Sequence, residues 1–323
     1  MVKHGMDITR RDFLITLARH YYEEDLSQQE IADRYSISRS NVSKMLKACK
    51  EEKIVEIRIQ APSSQALQFK ARLEETFNID HAIIAPSAGD TEATKTEAAR
   101  AGAAYLCSLL EDSMKIGISW GTTLYRLVQE VTPPDVKNIE VIQLHGGFGA
   151  KNPEIDGHEL AGMLARKLKG SYRVMQAPAI VQNHELRDLL LKEPNIAETI
   201  ALAGSVHIAL MGIGSNLPEI SSMVRAGYLT EAESAELLEK GAVGVMCGLH
   251  FDKKGKLLSS PINDRHIGLP PEALLAIPKR FGVAVGSKKI QPILAALTGG
   301  LINILVTDEQ TAMGILYHHE TDN

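Results

Sequence analysis

From residue 66 onward, short β-rich runs alternate with helical segments along the chain. Helical periodicity covers 91–110, 122–131, 156–168, 231–240 and 287–298. The strand-like runs read "HAIIAP", "KIGIS", "IEVIQL", "YRVMQ", "HIALMGIG", "AVGVMCGL", "FGVAV" and "NILVTD". Strands that alternate with helices form mostly parallel sheets with helices on both faces. The sequence therefore predicts an α/β domain over 64–323, after the Pro/Ser break "QAPSSQ" at 60–65.

The segment before that break has a different pattern. An amphipathic helix is expected over 11–24, and Ser27 with Glu30 three residues later forms a capping-box pattern for a short second helix. Ser38 then precedes a third helix over 39–51, and "IVEIRI" at 54–59 alternates like a strand. This order predicts a winged helix-turn-helix domain over 1–60.

Positive charge is concentrated on the third of these helices. The whole chain has a formal net charge of −5, yet 34–50 contains five basic residues and no acidic residue. The third helix of such a motif enters the DNA major groove by its N-terminal end. Arg39 and Asn41 can contact base edges there, while Ser38, Ser40 and Lys44 suit phosphates. The segment is therefore predicted to bind double-stranded DNA; a solvated helix in a packing module is the alternative.

The composition fits a globular protein of two domains. The chain has 323 residues, of which 44% are hydrophobic. No apolar run reaches the ~18 residues of a membrane span, and no apolar signal region is seen near the start. Three scattered cysteines, which we expect to be buried thiols, predict a cytoplasmic protein. No Cys pair or H-E-x-x-H motif indicates a metal site, and no cofactor is predicted.

Several predicted strands end in glycine and hydroxyl residues. Gly121, Thr122 and Thr123 lie where a strand meets the start of a helix, which is a common anion site; capping by Thr is the alternative. In "AVGSKK", Lys288 follows Gly286 at a helix start and suits a phosphate; a surface lysine is the alternative. "LMGIGSN" lacks the third glycine of a dinucleotide fingerprint.

A third strand end, "IQLHGGFG", contains His145, Gly146 and Gly147. Glycines allow unusual backbone angles beside a ligand, and the histidine could donate a hydrogen bond or titrate. A hydrogen-bonded loop histidine is the alternative. Together these strand ends predict a site for a phosphorylated small molecule.

The chain resembles the SorC family of bacterial sugar-binding transcriptional regulators over essentially its whole length. The resemblance lies in "LSQQEIADRYSISRSNVSKML", "GISWGTTLY", "EVIQLHGGFG", "SSPINDRHIGL" and "LTGGLINILVTDEQTA". It implies a non-enzymatic regulator of carbohydrate catabolism. It also implies a C-terminal domain like sugar-phosphate isomerases, a phosphorylated sugar effector, and a homodimer or homotetramer.

The resemblance implies roles for single residues. Gly121, Thr122 and Thr123 match the phosphate-binding turn, and Lys288 matches a lysine that contacts phosphate. His145 stands where members carry Arg or Lys, and in one branch that Lys forms a Schiff base with the sugar aldehyde. Histidine cannot form this imine, so a different effector is expected.

Two further positions depart from the family pattern. Val245 stands where members often carry an acid that holds sugar hydroxyls, and Val285 stands where glycine is frequent. A less polar pocket is therefore expected. Asp252, in "FDKKG", could supply the carboxylate; an exposed turn residue is the alternative.

Enzymatic functions are alternatives to this hypothesis. "GISWG" at 117–121 matches the G-x-S-x-G nucleophile elbow of α/β-hydrolases, and Asp264 and His266 follow in the order that such a triad requires. Sugar-phosphate isomerase activity would need a carboxylate at a strand end, and none is clear in the sequence. A ligand sensor that does not bind DNA is a third alternative.

Overall fold

A computed structural model describes residues 10–55, 63–149 and 153–322. Its contacts divide the chain into two compact units, Met1–Ala61 and Pro62–Asn323. The described helices are α1 Arg10–Tyr22, α2 Gln28–Tyr35, α3 Arg39–Glu51, α4 Ser64–Phe77, α5 Thr91–Ser108, α6 Thr122–Glu130, α7 Gly157–Lys167, α8 His184–Leu190, α9 Pro194–Ala203, α10 Ser222–Arg225, α11 Glu231–Glu239, α12 Pro271–Ala276, α13 Ile290–Thr298 and α14 Glu309–Asp322. The described strands are β1 His81–Ala85, β2 Lys115–Ile118, β3 Glu140–Gln143, β4 Ser171–Arg173, β5 Ile208–Gly212, β6 Gly214–Ser215, β7 Gly244–Met246, β8 Leu249–Phe251, β9 Lys279–Val283 and β10 Ile304–Asp308.

The first unit is a three-helix module. Its core contains Leu17 of α1, Ile31 of α2, and Val42 and Leu46 of α3. The capping box of α2 is formed, because Ser27 Oγ accepts from the Glu30 amide and the Glu30 carboxylate accepts from the Ser27 amide. The predicted helix over 39–51 is confirmed. The predicted strand at 54–59 lies mostly outside the described residues, and 54–55, which are described, do not form a strand.

The second unit is built around a seven-stranded parallel sheet in the order β1-β10-β9-β5-β2-β3-β4. Helices α5, α6 and α7 pack against one face, whereas α4, α13 and α14 pack against the other. The predicted mostly parallel α/β fold is therefore confirmed. The chain order reverses between β2 and β5, since β2 leads outward to β3 and β4 while β5 leads to β9 and β10 on the other side. Ligands in open α/β sheets bind at such a point, outside the carboxyl ends of the strands.

A small antiparallel sheet, in the order β6-β7-β8, was not predicted. The run "AVGVMCGL" was interpreted as one strand, but Cys247 and Gly248 have φ of 51° and 84°. Two successive residues at positive φ make a tight hairpin turn, so the chain reverses there. The cysteine prediction was also partly wrong, since Cys49 and Cys247 are buried while Cys107 is only half-buried.

Candidate effector site and DNA-binding surface

A cavity of about 570 Å³ lies at the carboxyl ends of β2, β5 and β9, which are adjacent in the sheet. Its volume is in the range of small-molecule sites. The residues that line it include Lys95, Trp120, Gly121, Thr122, Thr123, Ile213, Gly214, Ser222, Arg225, Val245, Cys247, Val285, Gly286, Ser287, Lys288 and Lys289. Thus the structure brings together four of the predicted effector residues, Gly121, Thr122, Thr123 and Lys288.

Two glycine turns of the same shape border this cavity. Gly121 follows β2 with φ 116° and ψ 163°, and Gly286 follows β9 with φ 110° and ψ 152°. Each precedes a helical segment, and neither helical start is capped by a side chain. A Cβ at either glycine would meet no atom within 4 Å, so the glycines are required by their backbone angles and not by crowding. Uncapped helix starts leave amide groups available for an anion.

Each turn is fixed by a backbone hydrogen bond. The amide of Gly121 donates to the carbonyl of Ile155 at 2.9 Å. The amide of Gly286 donates to Thr311 Oγ1 at 2.9 Å, and the hydroxyl of Thr311 in turn donates to the buried Asp308 carboxylate. The two turns are therefore held in place before any ligand binds.

The charge of the cavity is one-sided. Among its described lining residues are four basic side chains, those of Lys95, Arg225, Lys288 and Lys289, and no acidic one. Two of the lysines have acidic neighbours outside the lining: Lys95 pairs with Glu92 at 2.9 Å and Lys288 with Glu219 at 3.1 Å. The site can therefore bind an anion without repulsion from a carboxylate in its wall.

Lys289 was not predicted, and its surroundings differ from those of Lys288. The Lys288 side chain is 57% exposed and reaches Glu219. Burial, together with the nearby charges of Arg225 and Lys95, lowers the pKa of Lys289 to about 8. Lys289 is half-buried, and an ammonium that is partly removed from water beside other cations gains most when an anion arrives. The sequence could not separate these two adjacent lysines, because both follow Gly286 closely.

One wall of the cavity is apolar. Trp120 stacks on Phe148 with a centroid separation of 4.2 Å, and Val245 of the small sheet packs over Gly214. Ile213 and Val285 also line the cavity. Positions 245 and 285 thus face the cavity, as the departures from the family pattern suggested, and they make this side less polar.

The structure places His145, which was predicted to bind the effector, outside the cavity lining. His145 is fully buried and does not line the cavity. Its Nδ1 lies 2.8 Å from the Gly146 carbonyl, which can only accept, so Nδ1 carries the proton. Nε2 then accepts from the Ser119 hydroxyl at 2.8 Å. Burial lowers the pKa of His145 to about 4, so the ring is a neutral part of the interior.

Gly146 and Gly147 also lie outside the cavity lining. Their amides donate to Ile267 and Ala177, at 3.0 and 2.8 Å. A Cβ on Gly146 would lie 2.5 Å from the backbone of Ala177 and Pro178. The glycine at 146 is therefore explained by the close approach of another chain segment.

Asp252 stabilises a turn away from the cavity. Its carboxylate accepts from the amides of Lys254 and Lys256, at 2.8 and 2.9 Å, after β8. It is absent from the cavity lining. The position of Asp252 therefore fits the alternative interpretation, that of a turn residue.

The hydrolase alternative is not supported by the geometry. Ser119 is 1% exposed and bonds to His145, not to the predicted partner His266. Asp264 is exposed on a short 3₁₀ segment, where it cannot orient a buried ring. The Ser, Asp, His order is thus present in the sequence without the contacts that a triad needs.

In the first unit, α3 presents the residues predicted to contact DNA. Ser38 is the N-cap of α3, and its hydroxyl accepts from the Asn41 amide at 3.2 Å and lies 3.1 Å from Ser40 Oγ. Arg39, Asn41 and Lys44 are exposed. Lys47 and Lys50 of α3 and Arg34 of α2 are exposed as well. Their arrangement gives α3 a polar, positively charged outer face opposite its buried Val42, Leu46 and Cys49.

Neither metal nor membrane features are found in the described parts of the chain. No cluster of three or more His, Cys, Asp or Glu residues there could hold a metal ion. No helix among these residues has the length and apolarity to cross a bilayer.

Comparison with known families matches both units. The family model "Putative sugar-binding domain" matches residues 61–317, and "Putative helix-turn-helix protein, YlxM / p13 like" matches residues 12–61. The first of these matches covers more than half of the chain and includes every part of the cavity.

Relatives and solved structures agree with these matches. The chain is 34% identical to the deoxyribonucleoside regulator of Bacillus subtilis over 96% of this chain and 99% of that protein. It is 30% identical to the transcriptional regulator LsrR of Escherichia coli, over 93% of each. The full-length sorbitol operon regulator SorC of Klebsiella pneumoniae superposes with a TM-score of 0.85 at 27% identity, over 95% of this chain and 99% of that structure. The chain therefore belongs to the SorC family of transcriptional regulators, which join a helix-turn-helix segment to a sugar-binding domain.

Proposed function

We propose that this regulator controls genes of carbohydrate catabolism and that a phosphorylated sugar, bound in the 570 Å³ cavity, sets its affinity for operator DNA. The observation that carries this proposal is the pair of uncapped glycine turns at Gly121 and Gly286 beside four basic side chains. Amides at helix starts and nearby cations are the groups that bind phosphate in proteins.

Within this proposal, the phosphate binds between the two turns. The amides and hydroxyls of Thr122 and Thr123 donate to it from one side, and Ser287 with Lys289 from the other. Lys288 stands at the rim, where its contact with Glu219 holds it near the entrance. His145, Gly146, Gly147 and Asp252 are left without a ligand contact.

DNA binding belongs to residues 1–60, and effector binding and oligomerisation to 64–323. Arg39 and Asn41 contact base edges, while Ser38, Ser40 and Lys44 position α3 on phosphates. Ser38 does so while capping the helix. A homodimer or homotetramer places two recognition helices on half-sites about one helical turn, or a multiple, apart. The effector must bind the two states with different affinity, because otherwise it could not shift their populations.

The phosphate site can be tested by titration calorimetry on the full chain with a panel of sugar phosphates. At least one sugar phosphate should bind the wild type. The Thr122→Val, Thr123→Val double variant should bind that compound at least tenfold more weakly. The control is Thr199→Val with Thr321→Val, whose hydroxyls donate to carbonyls of their own helices. Equal affinity of the T122V/T123V variant and the wild type would place the phosphate elsewhere.

A further inference from the structure

The cavity has two chemically different parts. The polar part is built by the two glycine turns and the four basic side chains. The second part, here called the apolar wall, consists of Trp120, Ile213, Val245, Cys247 and Val285. All five of these side chains are at most 9% exposed, so they are held by packing on the domain interior.

The apolar wall is rigid. The Trp120 ring stacks on Phe148 at 4.2 Å, and Phe148 contacts Tyr228 edge to face at 5.1 Å. Val245 is fixed by its pairing with Gly214 in the small sheet, where a Cβ at position 214 would lie 2.4 Å from Val245 Cγ1. Cys247 is buried, and burial raises its thiol pKa to about 12, so it offers no thiolate. The wall therefore cannot rearrange easily to present polar groups.

The groups that usually hold sugar hydroxyls are missing from the described cavity lining. It contains no carboxylate and no carboxamide side chain. Three of its five hydroxyl side chains, Thr122, Thr123 and Ser287, belong to the glycine turns. Thr91 lies at the start of α5, and Ser222 at the start of α10.

A sugar hydroxyl placed on this wall would exchange a hydrogen bond with water for contact with carbon. An unpaired buried hydroxyl is costly, whereas a methylene in the same place gains from leaving water. Each hydroxyl that faces the wall should reduce affinity by roughly tenfold or more. The wall thus discriminates against highly hydroxylated ligands without any steric clash.

We propose that the effector is a phosphate ester whose carbon body has few hydroxyl groups, such as a deoxy sugar or a short carbon chain, and that Trp120 and Val245 select it by apolar contact. This inference rests on the proposed phosphate site. It predicts the chemical class of the carbon part of the ligand, which the contacts to the phosphate do not determine.

The test uses matched ligands that differ in hydroxyl number alone. The full chain is titrated with a hexose 6-phosphate and its 2-deoxy counterpart, with a pentose 5-phosphate and its 2-deoxy counterpart, and with inorganic phosphate. The deoxy compound should bind tighter than its partner by about tenfold in at least one pair. If the hydroxylated compound binds equally or more tightly in both pairs, the inference is overturned while the phosphate site stands. If no phosphate compound binds, the proposed function and the inference both fail.

Variants of the wall provide a second test. Val245→Thr adds one hydroxyl with nearly unchanged shape and should reduce the preference for the deoxy compound at least threefold. Its control is Val243→Thr, the same substitution outside the cavity lining. Trp120→Leu should weaken binding of the deoxy compound more than binding of inorganic phosphate. Two results together would show that these residues do not select the ligand. V245T would keep the wild-type preference for the deoxy compound, and W120L would lose affinity equally for the deoxy compound and for inorganic phosphate.

Discussion

Gly121 and Gly286 have nearly the same backbone conformation at the ends of two strands that flank β5. Their φ values are 116° and 110°, and their ψ values are 163° and 152°. These angles lie in a region that is essentially restricted to glycine. Because the two turns border one cavity, their shared shape supports binding of one anion from two sides.

The first prediction concerns this backbone conformation. Gly121→Ala should destabilise the fold by about 1–3 kcal/mol and weaken effector binding, because alanine strains the turn although its Cβ meets open space. Urea unfolding gives the stability, provided that the slope m is unchanged. Gly89→Ala is the control, since position 89 is equally open and has no positive φ. If G121A and G89A reduce the free energy of unfolding by the same amount, the turn does not require glycine.

The second prediction concerns the pH dependence of effector binding. Lys289 has a pKa of about 8 in the free protein, and a bound phosphate dianion should raise it. Binding should therefore take up protons near pH 8 to 9, and affinity should fall as the pH rises through this range. Calorimetry in buffers of different ionisation enthalpy measures the uptake directly. Lys289→Met should abolish it, whereas Lys288→Met, at the exposed neighbour, should retain it.

A third prediction follows from the buried histidines. Burial lowers the pKa of His145 and His250 to about 4 and that of His266 to about 3. Between pH 6.5 and about 4 the unfolded chain binds protons at these positions, whereas the folded chain stays largely unprotonated there. The free energy of unfolding should therefore fall as the pH drops from 6.5 to 4, by roughly 1.4 kcal/mol per histidine and pKa unit.

Two variants separate this effect from general acid denaturation. His145→Gln should flatten the profile between pH 6.5 and 4. His184→Gln, at an exposed histidine, should leave its slope unchanged. If both profiles keep the wild-type slope, protonation of His145 does not limit stability.

The fourth prediction tests the DNA-binding helix. Arg39→Ala should weaken operator binding by about 1–3 kcal/mol and relax the base preference at one position. Arg19→Ala removes an exposed arginine from α1, outside α3, and should have little effect. Fluorescence anisotropy at fixed salt is the measurement, because phosphate contacts depend on ionic strength. If R39A and R19A reduce operator affinity equally, Arg39 does not contact a base.

The sequence predicted the helix-turn-helix segment well because its signals are local. Ser27 and Glu30 form the expected capping box, and the apolar spacing around Val42 and Leu46 placed the buried face of α3. The strand ends of the large sheet were also predictable, since glycine followed by threonine at a helix start is a short motif. Parallel order followed from the alternation of strands and helices.

Features that depend on distant contacts could not be predicted in this way. Lys95 and Arg225 reach the cavity from helices far apart in sequence, and their residue types alone carry no such signal. His145 follows β3 as expected, yet a hydrogen bond to Ser119 of a neighbouring strand end keeps it in the interior. The hairpin at Cys247 was missed because cysteine seldom adopts positive φ.

A phosphate ester bound between Gly121 and Gly286 should change the affinity of the protein for its operator. An operator-shift titration tests it most directly, at fixed salt, with DNA from upstream of the protein's own gene and a panel of phosphate esters. We expect one compound to change the apparent affinity of the wild type, and we expect the T122V/T123V variant to bind the same DNA without responding. Operator binding that no phosphate ester alters, or a double variant that responds like the wild type, would show that these turns do not control DNA binding.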